Sequence, residues 1–78
     1  MGSESRLRIL RLLLTCYPSG MIVGEIQQEL GIASSTLSHH LEKLKHESLV
    51  VATRESTAWR YTANAATLKD LFNFFMAE

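Results

Sequence analysis

The segment Ser34-Ser35-Thr36-Leu37-Ser38-His39-His40-Leu41-Glu42-Lys43-Leu44-Lys45 carries two different surfaces. Leu37, Leu41 and Leu44 stand at i, i+4 and i+7, the spacing of one helical stripe. At about 100° per residue, the opposite face collects Ser35, Ser38, His39 and Glu42, with Lys43 and Lys45 on its flanks. That face holds short hydrogen-bonding groups and an imidazole, with no apolar side chain. Such a face matches the major groove, where base edges offer donors and acceptors. It also matches an ordinary solvated helix, so the neighbouring sequence has to decide.

Immediately upstream, Val23, Ile26 and Leu30 form a shorter helical stripe, and Gly31 follows its last residue. Glycine there adopts the left-handed C-terminal conformation without a Cβ penalty. Ile32 is placed to plug the corner between two helices. A short helix, a tight turn containing Gly and a second helix make the helix-turn-helix signature. With the polar outer face of the second helix, the spacing predicts binding to double-stranded DNA.

The 78 residues allow one domain, here read as residues 1–78. A hydrophobic content of 46% makes it globular rather than disordered. No apolar run approaches the ~20 residues that span a bilayer, and no signal peptide is expected. A single cysteine, Cys16, excludes an intramolecular disulfide and suits a reducing cytoplasm. The formal net charge of +0 is unusual for a DNA reader. It predicts weak non-specific affinity and reliance on the avidity of a dimer.

Arg6 to Tyr17 reads as the first helix, with Ser3 or Ser5 as its cap. Leu7, Ile9, Leu10, Leu12, Leu13, Leu14 and Cys16 cover most of its girth, so it is expected to be buried on more than one side. Met21-Ile22-Val23 reads as a short edge strand. Leu49–Arg54 and Ala58–Thr62 read as strands of a β-hairpin around the turn Glu55-Ser56-Thr57. Arg54 and Arg60 are placed near its tip, within reach of phosphates or the minor groove. For each, a solvated hairpin arginine is an equal reading. Trp59 and Tyr61 share a face that is expected to pack on the core. Thr62 or Asn64 caps a last helix, Ala65 to Ala77, with Leu68, Leu71, Phe72 and Phe75 as its stripe. Phe74 and Met76 widen that stripe beyond what one core needs, which points to pairing across a two-fold axis rather than to a helix lying on its own domain.

This order of elements is the winged helix-turn-helix plan, mainly α with a small β-hairpin. The run Leu30-Gly31-Ile32-Ala33-Ser34-Ser35-Thr36-Leu37-Ser38-His39-His40-Leu41, followed by Leu44-Lys45 and Leu49-Val50, resembles the ArsR-type regulators, and its Ser-His-His-Leu core is fairly specific to them. The resemblance covers most of the chain from Ser5. It implies a cytoplasmic homodimer that binds a palindromic operator and represses transcription. It places DNA contacts at Ser34, Ser35, Ser38 and His39, to which the basic flank adds Lys43, Arg54 and Arg60. It places a dimer interface on the first and last helices, here Leu7, Leu68, Leu71, Phe72, Phe74 and Phe75. The family's Cys-x-Cys sensor motif is replaced by Ile22-Val23-Gly24, and Asp70 lacks the histidine that other members use for metal. Its usual glycines before and within the hairpin are Ser48 and Ser56. A left-handed backbone at either would cost serine roughly 1 kcal/mol relative to glycine. Ala33 stands where the family has its usual cap residue, which leaves capping to Ser34.

No cofactor and no metal are expected. His39 and His46 lie two turns apart on one helix, too far for one ion. Nor is an enzyme expected: there is no Gly-rich phosphate loop, no cysteine–histidine pair at suggestive spacing and no carboxylate pair. The remaining alternative is a winged-helix domain used for protein–protein contact, which the zero net charge favours.

Overall fold

A computed structural model describes residues 3–77. The elements are α1 (Ser3–Thr15), β1 (Met21–Ile22), α2 (Val23–Leu30), α3 (Ser34–His46), β2 (Val50–Glu55), β3 (Ala58–Ala63) and α4 (Ala65–Met76). The winged helix-turn-helix arrangement expected from the sequence is the one observed. The strands form one antiparallel sheet in the order β1-β3-β2. Val50 stands opposite Ala63 and Glu55 opposite Ala58, while Met21 pairs with Tyr61.

The core is built from the stripes read above. Ile9 and Leu13 of α1, Ile26 of α2, Leu37, Leu41 and Leu44 of α3, and Val50, Tyr61 and Ala63 of the sheet are all buried. Leu10, Leu12, Val23, Leu30, Ile32 and Leu68 pack around them. Ile32 does fill the corner of the helix-turn-helix. Within this chain α1 is enclosed on one side only, since Leu7 and Leu14 stay about half exposed.

Several boundaries differ from the sequence reading. The first helix ends at Thr15 and not at Tyr17, because Tyr17 N–H bonds Leu14 O at 3.2 Å and turns the chain away. Ser5 lies inside α1 and so is not its cap, while the side chain of Ser3 lies outside the described residues. Val23 opens α2 rather than closing β1, and there Glu25 accepts a bond from Ile22 N–H at 3.1 Å. Trp59 is 43% exposed, although Tyr61 on the same strand face is buried. The hairpin runs past the end of the core, so that only its base is covered.

Four of the described residues are left-handed, Gly20 (φ 73°) before β1 and three more that set the joints around α3 and the hairpin. Gly31 (φ 64°) closes α2, its N–H bonding Gln27 O at 2.8 Å. Ser48 (φ 62°) follows α3 in a Schellman arrangement: Leu49 N–H reaches Leu44 O at 2.9 Å and Ser48 N–H reaches Lys45 O at 3.0 Å. Ser56 (φ 57°) opens the two-residue hairpin turn, where primed turns favour glycine. Both serines therefore occupy the left-handed backbone that costs serine roughly 1 kcal/mol relative to glycine.

Candidate nucleic-acid interface

Burial of Leu37, Leu41 and Leu44 fixes the rotation of α3 about its axis. With that stripe inward, Ser34, Ser35, Ser38, His39, Glu42 and Lys43 are all exposed. They form one continuous polar surface on the outside of the helix-turn-helix. The N-cap of α3 is Ala33, whose backbone is extended and which offers no side-chain cap. No capping bond from Ser34, at the first helical position, is present either. The first N–H groups of α3 thus face outward without a side-chain partner, an arrangement that favours anions.

The cations around this surface differ in their freedom. Lys45 is paired with Glu42 at 3.3 Å. Arg60 is anchored: its Nε donates to Glu55 Oε2 at 2.8 Å, and its Nη1 lies 3.3 Å from both Ser19 O and Gly20 O. Those bonds tie the hairpin to the loop before β1, a bracing role that the sequence reading did not assign. Lys43 and Arg54 have no carboxylate partner among the described residues. Arg54 donates from Nε to Ser56 O at 3.1 Å, and its guanidinium sits 5.3 Å from the centre of the Trp59 ring.

His40 is the residue that the polar-face reading passed over. It sits three positions after Leu37, on the edge of the apolar stripe, and is only 7% exposed. Its Nδ1 is buried without a hydrogen-bond partner, and so is Nε of Arg6 from α1. Burial lowers the His40 pKa below the usual histidine value, and the nearby charges of Arg6 and His39 push it the same way. The tilted rings of His39 and His40 have centroids 5.9 Å apart. Among the described residues no group of His, Cys, Asp and Glu is arranged to hold a metal ion. Cys16 is a free, half-buried thiol.

The candidate dimer residues lie on α1 and α4. No residue of α4 is buried. Leu71 is 45% exposed, Phe72 63%, Phe74 76% and Phe75 79%, while Leu68 alone of the predicted stripe packs on the core. Asn64 caps the helix, accepting from Thr67 N–H at 3.3 Å. The arrangement of α4 lying flat on its own domain is therefore not the one observed. Leu7 joins Leu10, Leu44 and Leu49 around an open pocket of about 220 Å³.

The family model for the helix-turn-helix domain matches residues 1–53. The chain belongs to the helix-turn-helix domain family. As a member, it is similar to the transcriptional activator HlyU of Vibrio cholerae serotype O1, with 35% identity over 69 residues, 88% of this chain and 61% of that protein. The chain thus spans less than two thirds of that relative's length. The solved structure of HlyU from Vibrio cholerae superposes with a TM-score of 0.72 and 29% identity, over 96% of this chain and 82% of that one. The curated relative is named a transcriptional activator, in line with the expectation of a regulator rather than an enzyme. No helix among the described residues is long and apolar enough to cross a membrane.

Proposed function

We propose that residues 1–78 act as a single winged helix-turn-helix domain that binds double-stranded DNA sequence-specifically and regulates transcription as an ArsR-type homodimer in the cytoplasm. One observation carries this reading: Ser34, Ser35, Ser38 and His39 are exposed on the face of α3 opposite a fully buried leucine stripe. Core packing does not require those residue types. In this reading Ser38 and His39 meet base edges, and Ser34 and Ser35 hold phosphates at the uncapped helix start. Lys43 and Arg54 supply backbone contacts. The exposed apolar residues Leu7, Leu71, Phe72, Phe74 and Phe75 support dimerisation through α1 and α4, with Leu68 seating α4 on its own core. A two-fold dimer presents two α3 helices to a palindromic operator. Occupying an operator blocks polymerase without further contacts, so repression is the direction proposed, although the relative HlyU is named an activator.

The test is a selection of bound duplexes from a random pool, followed by affinity measurements against salt. The selected operator should bind with a steep negative salt slope. His39→Ala and Ser38→Ala should each weaken operator binding by ~1–3 kcal/mol and relax base preference, while leaving random duplex nearly unchanged. If both variants bind the operator like the parent chain, the face is only solvated. The second reading, a protein-contact module, is favoured by the net charge of +0, and it predicts little DNA binding at any salt.

A further inference from the structure

Arg54 and Trp59 occupy opposite positions on β2 and β3, and they share one face of the wing. It is the face whose lower rungs, Val50 with Ala63 and Ala52 with Tyr61, turn inward to the core. Beyond the core this face continues into open solvent on the side of the helices. Arg54 and Trp59 are both exposed there, with the guanidinium 5.3 Å from the ring centre. The second wing arginine, Arg60, belongs to the opposite face and is held by Glu55 and two carbonyls. Arg54 is thus the wing cation that has no acidic partner among the described residues.

Two contacts restrain Arg54: the bond from its Nε to Ser56 O and the indole face beneath it. Together they hold the guanidinium on the exposed surface of the wing. A flexible side chain that would otherwise lose rotamer freedom on meeting a phosphate is already ordered. An indole offers the strongest aromatic face for a cation. The packing of Trp59 on the core, which its alternation with Tyr61 suggested, is not what occupies the ring.

We propose that Trp59 is a positioning residue for DNA binding, holding the Arg54 guanidinium over its ring so that the wing delivers one fixed cation to the sugar-phosphate backbone. The proposal rests on the DNA-binding reading above. It carries an unusual signature: an uncharged side chain controls how binding depends on salt.

The experiment measures affinity for random and selected duplexes as a function of salt, for the parent chain, Arg54→Ala, Trp59→Leu, Trp59→Phe and the double variant Arg54→Ala/Trp59→Leu. Trp59→Leu keeps apolar bulk and removes the ring face. It should weaken binding about two- to fivefold, the scale of an exposed cation–π contact. It should also lower the salt slope toward that of Arg54→Ala, which loses about one unit. The double variant should be no worse than Arg54→Ala alone, and Trp59→Phe should restore most of the slope. Because Trp59 is the one tryptophan in the chain, its emission should shift when duplex is added and when Arg54 is removed. A parent chain that binds no duplex overturns the function and this proposal together. A parent chain that binds with a steep slope, left unchanged in Trp59→Leu, overturns the proposal alone.

Discussion

Phe75→Ala tests the dimer directly. Phe75 continues the Leu68, Leu71, Phe72 spacing by one more turn and is 79% exposed in the single chain. Phenylalanine buries roughly 200 Å² when enclosed. Covering most of the exposed part at about 25 cal/mol per Å² corresponds to roughly 2–3 kcal/mol, once the surface alanine retains is discounted. A two-fold interface contains the residue twice, so truncation should cost about 4–6 kcal/mol per dimer. That raises the dissociation constant by about three to four orders of magnitude. Alanine is the better helix former, so α4 itself should persist. Sedimentation equilibrium from sub-micromolar to several hundred micromolar protein reads the effect, with circular dichroism as the control for helix content. The expected outcome is a dimeric parent and a variant that is monomeric over most of that range. A parent chain that stays monomeric at several hundred micromolar refutes pairing through α4. So does a variant that dimerises as well as the parent.

Two further outcomes concern stability. His40 has a folded pKa below its unfolded value, so the unfolded chain takes up the proton first. Stability contributed by neutral His40 should be fully present above about pH 6.5 and fall as the pH drops from there through the lowered folded-state pKa. Denaturant titrations between pH 8 and pH 5 should show this loss, and His40→Leu should flatten it. An unchanged pH profile in that variant would assign the slope to other groups. Ser48→Gly relieves a left-handed serine at the end of α3. After the greater chain entropy of glycine is set against the strain, a gain of about 0.5–1 kcal/mol is expected, or several degrees in Tm. No rise in Tm would mean that the serine fits there without strain.

Much of this fold could be read from spacing because its helices are bound to the core by full stripes. Leu37, Leu41 and Leu44 determine the rotation of α3, and with it the exposure of Ser38 and His39. Gly31 marks the turn because a left-handed residue is required there. The family pattern pointed to Ser48 and Ser56 as strained for the same reason. What alternation cannot tell is where the body of the protein stops. Trp59 and Tyr61 have the same parity on β3, yet one lies in the core and the other beyond it. Nor does spacing reveal contacts between distant segments. Spacing leaves Arg60 either at a phosphate or in solvent, whereas the fold sets it against the carbonyls of Ser19 and Gly20, about forty residues earlier. His40 was hidden because its neighbour His39 stands on the outer face, while one further residue turns the ring against Arg6.

These placements bear on how a domain with a net charge of +0 could hold a polyanion. Lys45 and Arg60 are neutralised by Glu42 and Glu55, and Arg6 lies 4.0 Å from Glu47. Near α3 and the wing, that leaves Lys43 and Arg54 as cations without an acidic partner among the described residues. Two phosphate contacts per protomer give only a shallow salt dependence to a lone domain, at about 0.9 per contact. Doubling them across a two-fold axis doubles the slope and lets a second weak site bind at high effective concentration. Affinity for DNA and the exposed phenylalanines of α4 are then one problem. Phe75→Ala, which touches no proposed DNA contact, should weaken operator binding about as much as it weakens dimerisation, at protein concentrations below the variant's dimer dissociation constant. Operator affinity that survives in a monomeric variant would mean that a single α3 and wing suffice, and that the apolar face of α4 serves something other than DNA recognition.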